Sequence, residues 1–295
     1  MNKETVCAIV LDYRGAEKTE KCLLSLVGQG IRTAYVLDNS EAEISSAELH
    51  TAAERVRSTR PGFSIEILSA GKNLGFGRGV NFVLRYDRRC ESPHDYYLLL
   101  NNDAVAGPGL VVGTIAQFAN DPDVALVAPR ILSDDPGREF GIWYHRYFGF
   151  LLSRPGRGRF HYFTGCCLLL RKDLVTDSGI FDESFFMYGE DAELGWRITR
   201  QGKKMACAED VFVRHDLGPS ADRGNFFYEY YMTRSHLLLS LKTGLHPSEV
   251  PLLILTKYLG LACRAMIRTV RYHNWPPLLA LLLACFPLRS VRPDD

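Results

Sequence analysis

Short apolar runs at Val6 to Leu11, Tyr35 to Leu37, Ile65 to Leu68 and Tyr96 to Leu100 alternate with stretches whose apolar residues recur at helical spacing. Leu49, Ala52, Ala53 and Val56, for example, occupy the i, i+3, i+4 and i+7 positions of one helix face. Such alternation calls for crossover connections, and so for an α/β fold built on a mainly parallel sheet flanked by helices. Three of the runs end on Asp12, Asp38 and Asn101-Asn102-Asp103. Ligands of open α/β sheets gather beyond the carboxyl ends of the strands, so Asp103, after the Tyr96 run, points into a candidate binding crevice. The same residues also suit plain turns.

Composition narrows the chemistry. Lysine plus arginine (35) nearly balance aspartate plus glutamate (34), so the chain lacks the global basic field that non-specific nucleic-acid binding needs. Its eight cysteines include no Cys-x-x-Cys spacing and mostly lie in apolar runs, as reduced core residues of a cytoplasmic protein do. The first apolar run is too short for a signal-peptide core. A length of 295 residues accommodates one large α/β domain, or one domain with a helical appendage.

Further strands are expected at Val124 to Ala128, Gly165 to Leu170, Lys204 to Ala208 and Val211 to His215, and a helix at Ala192 to Arg200, closed by Gln201-Gly202. Between Ile131 and Arg159 the pattern dissolves into Gly, Pro, Arg and aromatics. This reads as a long loop whose Trp143, Tyr144, Tyr147 and Phe148 either shape an acceptor site or pack locally. After about Gly224 the composition turns aromatic, then leucine-rich and basic, which divides the chain into residues 1–224 and a helical extension, 225–295. Lys257, Arg264, Arg268 and Arg271 fall on one side of an otherwise apolar helix. Trp275-Pro276-Pro277 ends it, and Leu278 to Leu288 is too short to span a bilayer. The extension suits either a membrane surface or packing on protein.

Several acids and amides stand in patterns that carry chemistry. Asp103 after a buried strand is a ligand type for a hard divalent cation bearing phosphate oxygens. Asn73 to Asn81 is a glycine-rich loop entering a helix, where backbone can approach a ligand closely and Arg78 can contact a diphosphate or simply start a solvated helix. Glu190-Asp191 opens a helix, where acids serve as caps as well as general bases. Trp196 and Arg197 follow on the same helix, lining a sugar site or the core.

Asp38-Asn39-Ser40, the Asn73 to Asn81 loop, Asn101-Asn102-Asp103 and the Phe185 to Arg197 segment, in that order, resemble a family 2 inverting glycosyltransferase of the GT-A fold, in particular its rhamnosyltransferase-like group. The resemblance implies that Tyr13 and Asp38 hold the nucleotide base, and that Asn73, Gly75, Arg78 and Asn102 border the rest of a nucleotide-sugar. It implies that Asp103, the last acid of an Asp-x-Asp motif whose first acid is here Asn101, binds Mg2+ or Mn2+, with His215 beside the metal or phosphate. His215 equally suits a structural role. Asp191, with Glu190, is implied as the catalytic acid pair, Asp191 being the base. The donor is then dTDP-rhamnose or a UDP-hexose, the acceptor a glycan or lipid-linked hydroxyl, and the location the inner face of the cell membrane.

Rival enzymes fit less well. A dinucleotide-dependent oxidoreductase needs Gly-x-Gly-x-x-Gly after the first strand, whereas this loop follows the third and the last glycine would fall on Val80 or Phe82. A sugar-nucleotide pyrophosphorylase needs a longer loop than Asp12-Tyr13-Arg14-Gly15. A catalytically silent, membrane-bound sugar-nucleotide scaffold is opposed by the presence of both Asp103 and Asp191.

Overall fold

The structure, a computed structural model, describes residues 5–60, 62–133, 139–215 and 225–286. The division expected near Gly224, and Pro287 and Leu288 of the apolar stretch, lie outside these residues.

Strand β1 (Val6–Asp12), helix α1 (Ala16–Leu26), β2 (Thr33–Asp38), α2 (Glu43–Thr59), β3 (Ser64–Ser69), α3 (Phe76–Asp87) and β4 (Tyr96–Leu100) alternate as expected. After them come β5 (Ala104–Ala106), α4 (Leu110–Asn120), β6 (Val124–Leu132), β7 (Ile142–His145), β8 (Leu151–Leu152) and β9 (Arg159–Tyr162). The chain continues through β10 (Cys167–Arg171), α5 (Glu190–Arg200), β11 (Lys204–His215), α6 (Phe226–Lys242), α7 (Val250–Tyr272) and α8 (Pro276–Leu283). Two compact units result. One comprises Met1–Phe140, Phe163–Phe181 and Arg197–Asp216, and the other Gly141–Tyr162, Asp182–Trp196 and Leu217–Asp295.

The first unit is an eight-stranded sheet in the order β3-β2-β1-β4-β10-β6-β11-β5. β1 pairs in parallel with β2 and β4, β2 with β3, and β6 with β11, while β10 and β5 run antiparallel to their neighbours. Every residue of β4 is buried, as a central strand covered on both faces requires. Helix α3 lies so close to the sheet that a Cβ on Gly79 would sit 2.7 Å from Leu11 Cδ2 and 3.0 Å from Leu37 Cδ2. Gly79 therefore serves packing. The two strands expected at 204–208 and 211–215 are one strand, β11, with a register shift between Ala208 and Phe212. That shift explains the break in apolar pattern, since a bulge displaces side chains from strict alternation.

In the second unit the loop expected over 131–159 contains structure. β7 pairs antiparallel with β8 and β9 in a three-stranded sheet, and Tyr144, Phe160 and Tyr162 from it pack with Phe185, Ala192 and Leu239. These strands are two to four residues long, too short for a periodic signal to emerge.

The basic stripe of α7 is turned inward. Lys257 is fully buried, with Nζ 3.0 Å from the Tyr144 hydroxyl. Arg264 Nη1 lies 3.2 Å from His236 Nε2, and Arg268 Nε donates to Glu229 Oε1 at 2.7 Å. Only Arg271 of the four is exposed. Of the two readings of the extension, the basic side of α7 follows packing on protein: Lys257, Arg264 and Arg268 are engaged by α6 and β7, and the outward face is apolar.

Candidate functional site

In the first unit, the parallel register aligns Asp12 with Asp38 and Asp38 with Ser69, so the carboxyl ends of β1, β2 and β3 form one polar shelf. Asp12 is buried and accepts from Thr19 Oγ1 at 2.5 Å and from Asn102 Nδ2 at 3.3 Å. Asn102 Nδ2 also donates to Thr19 Oγ1 at 3.1 Å. Burial raises the Asp12 carboxyl pKa, against the lowering effect of these bonds. A Cβ on Gly15 would lie 2.8 Å from Asn102 Nδ2, so a larger residue there would displace the Asn102 amide. Asp12 thus fixes the Asn102 amide, a role the sequence did not single out; its place at the end of β1 was the available signal.

Asp38 is 3 % exposed and its Oδ1 accepts from Ser40 N at 2.9 Å and Ser40 Oγ at 2.6 Å, the geometry of a side-chain-stabilised turn. Its neighbour Asn39 holds the glycine loop: Oδ1 accepts from Leu74 N at 2.8 Å and Nδ2 donates to Gly75 O at 3.2 Å. Asn73 Oδ1 accepts from Gly75 N at 2.8 Å, and Gly75 itself has φ 72°, a left-handed value natural to glycine. Arg78 is exposed in the first turn of α3, and Tyr13 is half-buried with the Arg14 guanidinium 5.2 Å from its ring centroid. At the far end of that motif, fully buried Asn81 accepts from Ile180 N and Phe181 N and donates to Phe181 O, at 2.8, 3.0 and 2.8 Å.

Asp103 and His215 are brought together. Antiparallel pairing of β5 with β11 sets His215 opposite Ala104, and His215 Nε2 lies 3.1 Å from Asp103 Oδ1. A carboxylate and an imidazole so placed at a strand end are compatible donors for Mg2+ or Mn2+, with diphosphate oxygens completing the shell. A different group, Cys7, Asp87 and His94, also has candidate ligand atoms within 4.8 Å of one another. There, however, the Asp87 carboxylate accepts from Tyr35, Tyr97 and His94, at 2.9, 2.8 and 2.7 Å. It is a satisfied hydrogen-bond network at the amino end of β4. An open cleft of about 490 Å³ lined by Tyr96, Phe118 and Arg171 is at that end too, and contains none of the residues above.

In the second unit, Glu190 and Asp191 open α5. Tyr188 and Gly189 precede them with φ of 65° and 83°. Ser235 of α6 secures this left-handed pair, donating to Tyr188 O at 2.6 Å and Met187 O at 3.0 Å, and a Cβ on Gly189 would lie 2.9 Å from Ser235 Cβ. The C-terminal helices thus shape the loop that presents the acids. Glu190 is buried, its Oε2 has no hydrogen-bond partner among the described residues, and its pKa is raised by burial and then by the Asp191 charge. Asp191 is half-buried, with Oδ1 accepting from Ala192 N at 2.8 Å. The arrangement offers a protonated acid beside an accessible carboxylate. Trp196 packs on Phe160, 5.2 Å between ring centroids, and under the Arg146 guanidinium, which is a core role.

The family model described as "Glycosyltransferase like family 2" matches residues 32–235. The low-salt glycan biosynthesis hexosyltransferase Agl10 of Haloferax volcanii is 26% identical over 237 residues, covering 76% of this chain and 71% of that protein. The N-acetylglucosaminyl-diphospho-decaprenol L-rhamnosyltransferase of Mycobacterium tuberculosis is 24% identical over 188 residues, 54% of this chain and 61% of that protein. Among solved structures, the mannosyltransferase PcManGT of Pyrobaculum calidifontis, in complex with GDP-Man and Mn2+, superposes with a TM-score of 0.58 and 17% identity, covering 96% of this chain and 86% of that one.

Proposed function

This chain belongs to the glycosyltransferase like family 2, and from that premise we propose that it transfers a sugar, with inversion, from a nucleoside diphosphate donor to a hydroxyl of a lipid-linked or polysaccharide acceptor. The donor is dTDP-rhamnose or a UDP-hexose. Catalysis is assigned to residues 1–224, with 225–295 as a helical, membrane-associated extension, and the enzyme works on the cytoplasmic side at the inner membrane face.

The observation that carries this reading is the Asp103–His215 pair at the carboxyl-end shelf of the sheet. Those two side chains fit a divalent cation, which when bound supplies charge neutralisation for the departing diphosphate. Tyr13 and Asp38 receive the base, the latter through carboxylate valence beyond its Ser40 turn. The Asn39-braced loop of Asn73 and Gly75 borders the nucleotide, Asn102 meets the donor from its Asp12 lock, and exposed Arg78 reaches for the diphosphate.

Asp191 takes the proton from the acceptor hydroxyl as that oxygen attacks the anomeric carbon. The carbon–oxygen bond to the β-phosphate breaks on the opposite side, and the nucleoside diphosphate leaves with the electron pair. Glu190 remains protonated beside Asp191 and so keeps a second negative charge out of the base's surroundings.

A thermal-shift screen against UDP, dTDP, GDP and CDP sugars, each with and without Mn2+ or Mg2+, tests this directly. A metal-dependent rise in melting temperature with one nucleotide family is expected by mass action. Binding without turnover onto any acceptor would leave a silent sugar-nucleotide scaffold in its place.

A further inference from the structure

Helix α7 is amphipathic in the reverse of the usual sense for a helix on a soluble surface. From Val250 to Val270 every exposed position is uncharged, including Leu255, Leu259, Met266 and Ile267. Its cations point the other way. Burial and the Arg146 charge lower the Lys257 pKa to about 7, Arg264 bonds the buried imidazole of His236, and Arg268 pairs with buried Glu229.

The apolar surface extends beyond one helix. Fifteen of the twenty large hydrophobic side chains that the described residues leave exposed belong to the second unit. Phe148 and Phe150 stack at 5.8 Å in the turn between β7 and β8, and are 40 % and 48 % exposed. This turn is seated on α7: a Cβ on Gly260 would lie 2.4 Å from Phe148 O, and Thr256 Oγ1 donates to Tyr147 O at 2.9 Å. Beyond the end of α7, Trp275 is 75 % exposed, next to exposed Arg271 and His273. Leu279, Leu282 and Phe286 continue the exposure through and just past α8.

We propose that this outward face of α7 and α8, with the Phe148–Phe150 turn, is the surface by which the protein lies in the interface of an anionic lipid bilayer. The inference rests on the lipid-linked acceptor proposed above and deepens it by naming the contact. A broad uncharged face bordered by the Trp275 indole and the Arg271 guanidinium matches the boundary between acyl chains and anionic headgroups. Residues 247–272 are long and apolar enough to cross a membrane. Crossing is opposed by the inward side, because α6, bonded along it, carries Glu229, Arg234, His236 and Lys242 in its sequence. The helix therefore lies in the plane of the interface, about 35 Å long at 1.5 Å per residue.

Co-sedimentation of the full chain with phosphatidylcholine vesicles, with and without phosphatidylglycerol, tests the contact. Wild type is expected to pellet, more so with the anionic lipid. The double variant Ile267→Asp/Val270→Asp should lose about a hundredfold in partitioning, the equivalent of two exposed side chains denied burial. Trp275→Ala, which changes no buried contact of α7, should lose part of it. Both variants should keep the wild-type melting temperature and its Mn2+-dependent shift with UDP or dTDP. Absence of that shift in every protein is the failure of the transferase reading, whereas an intact shift with no vesicle binding by wild type overturns only the membrane contact. Equal pelleting of wild type and double variant also overturns it. So does a lipid-free dimer that the double variant dissociates while neither protein binds vesicles, which would assign the face to a second copy.

Discussion

His215 Nε2 lies 3.1 Å from Asp103 Oδ1 across 112 residues of chain. The three-residue β5, immediately after Asp103, pairs with the end of β11 and delivers the imidazole to the acid. A strand of three residues is accordingly what completes the candidate cation site.

If these two side chains hold the cation, Asp103→Ala should lower Mn2+-dependent affinity for a nucleoside diphosphate by at least the ~10–100-fold that loss of a supporting residue costs a metal site. His215→Ala should act in the same direction. Calorimetric titration with and without chelator is the check, and equal affinity in both conditions would remove the pair from metal binding.

For Asp191, the expected signature is a split between binding and turnover. Asp191→Asn should leave the donor-induced melting shift unchanged while kcat falls by roughly 10²–10⁴, the usual contribution of general-base catalysis. Turnover within a few-fold of wild type would assign the base elsewhere.

Glu190 should make the protein less stable as pH rises. Its folded pKa is raised by burial and by Asp191, so above the ordinary glutamate value of about 4.3 the native state holds more protons than the unfolded chain. Stability from this group is then present at low pH and lost on approach to the raised value. Glu190→Gln cannot ionise, so its melting temperature relative to wild type should climb between about pH 5 and pH 8. A constant difference across that range would show that Glu190 titrates normally.

Lys257 works in the opposite sense. Its folded pKa is depressed to about 7 by burial and by Arg146, while the unfolded lysine titrates near 10.4. Between these values the unfolded chain binds more protons, so this group's contribution to stability grows as pH rises from about 7 to 10. Lys257→Met should remove that rise, and melting curves at pH 7 and pH 9.5 for both proteins would detect it. An identical pH slope in the two would contradict a neutral buried lysine.

Much of this architecture was legible without coordinates. The runs now seen as β1 to β4 are long, apolar and closed by acids, so their pattern survives without tertiary information. The candidate site residues Asn73, Gly75, Asn102, Asp103, Glu190 and Asp191 stand in motifs that are visible in the chain itself. What Asp12 does was not legible, because its significance depends on Thr19 and Asn102 converging on one carboxylate. Nor was the grip of Ser235 on the loop before the acid pair, since a serine inside a helix carries no local signal of its target.

Helix α7 draws the line most sharply. Spacing in the sequence determined that Lys257, Arg264 and Arg268 share one side and that leucines, isoleucines and a methionine occupy the other. Periodicity is a statement about angles around an axis and carries no information about which side meets the protein. That choice was made by tertiary structure, because only there do the Tyr144 hydroxyl, His236 and Glu229 come within hydrogen-bonding distance of the three basic side chains and offset the cost of turning them inward.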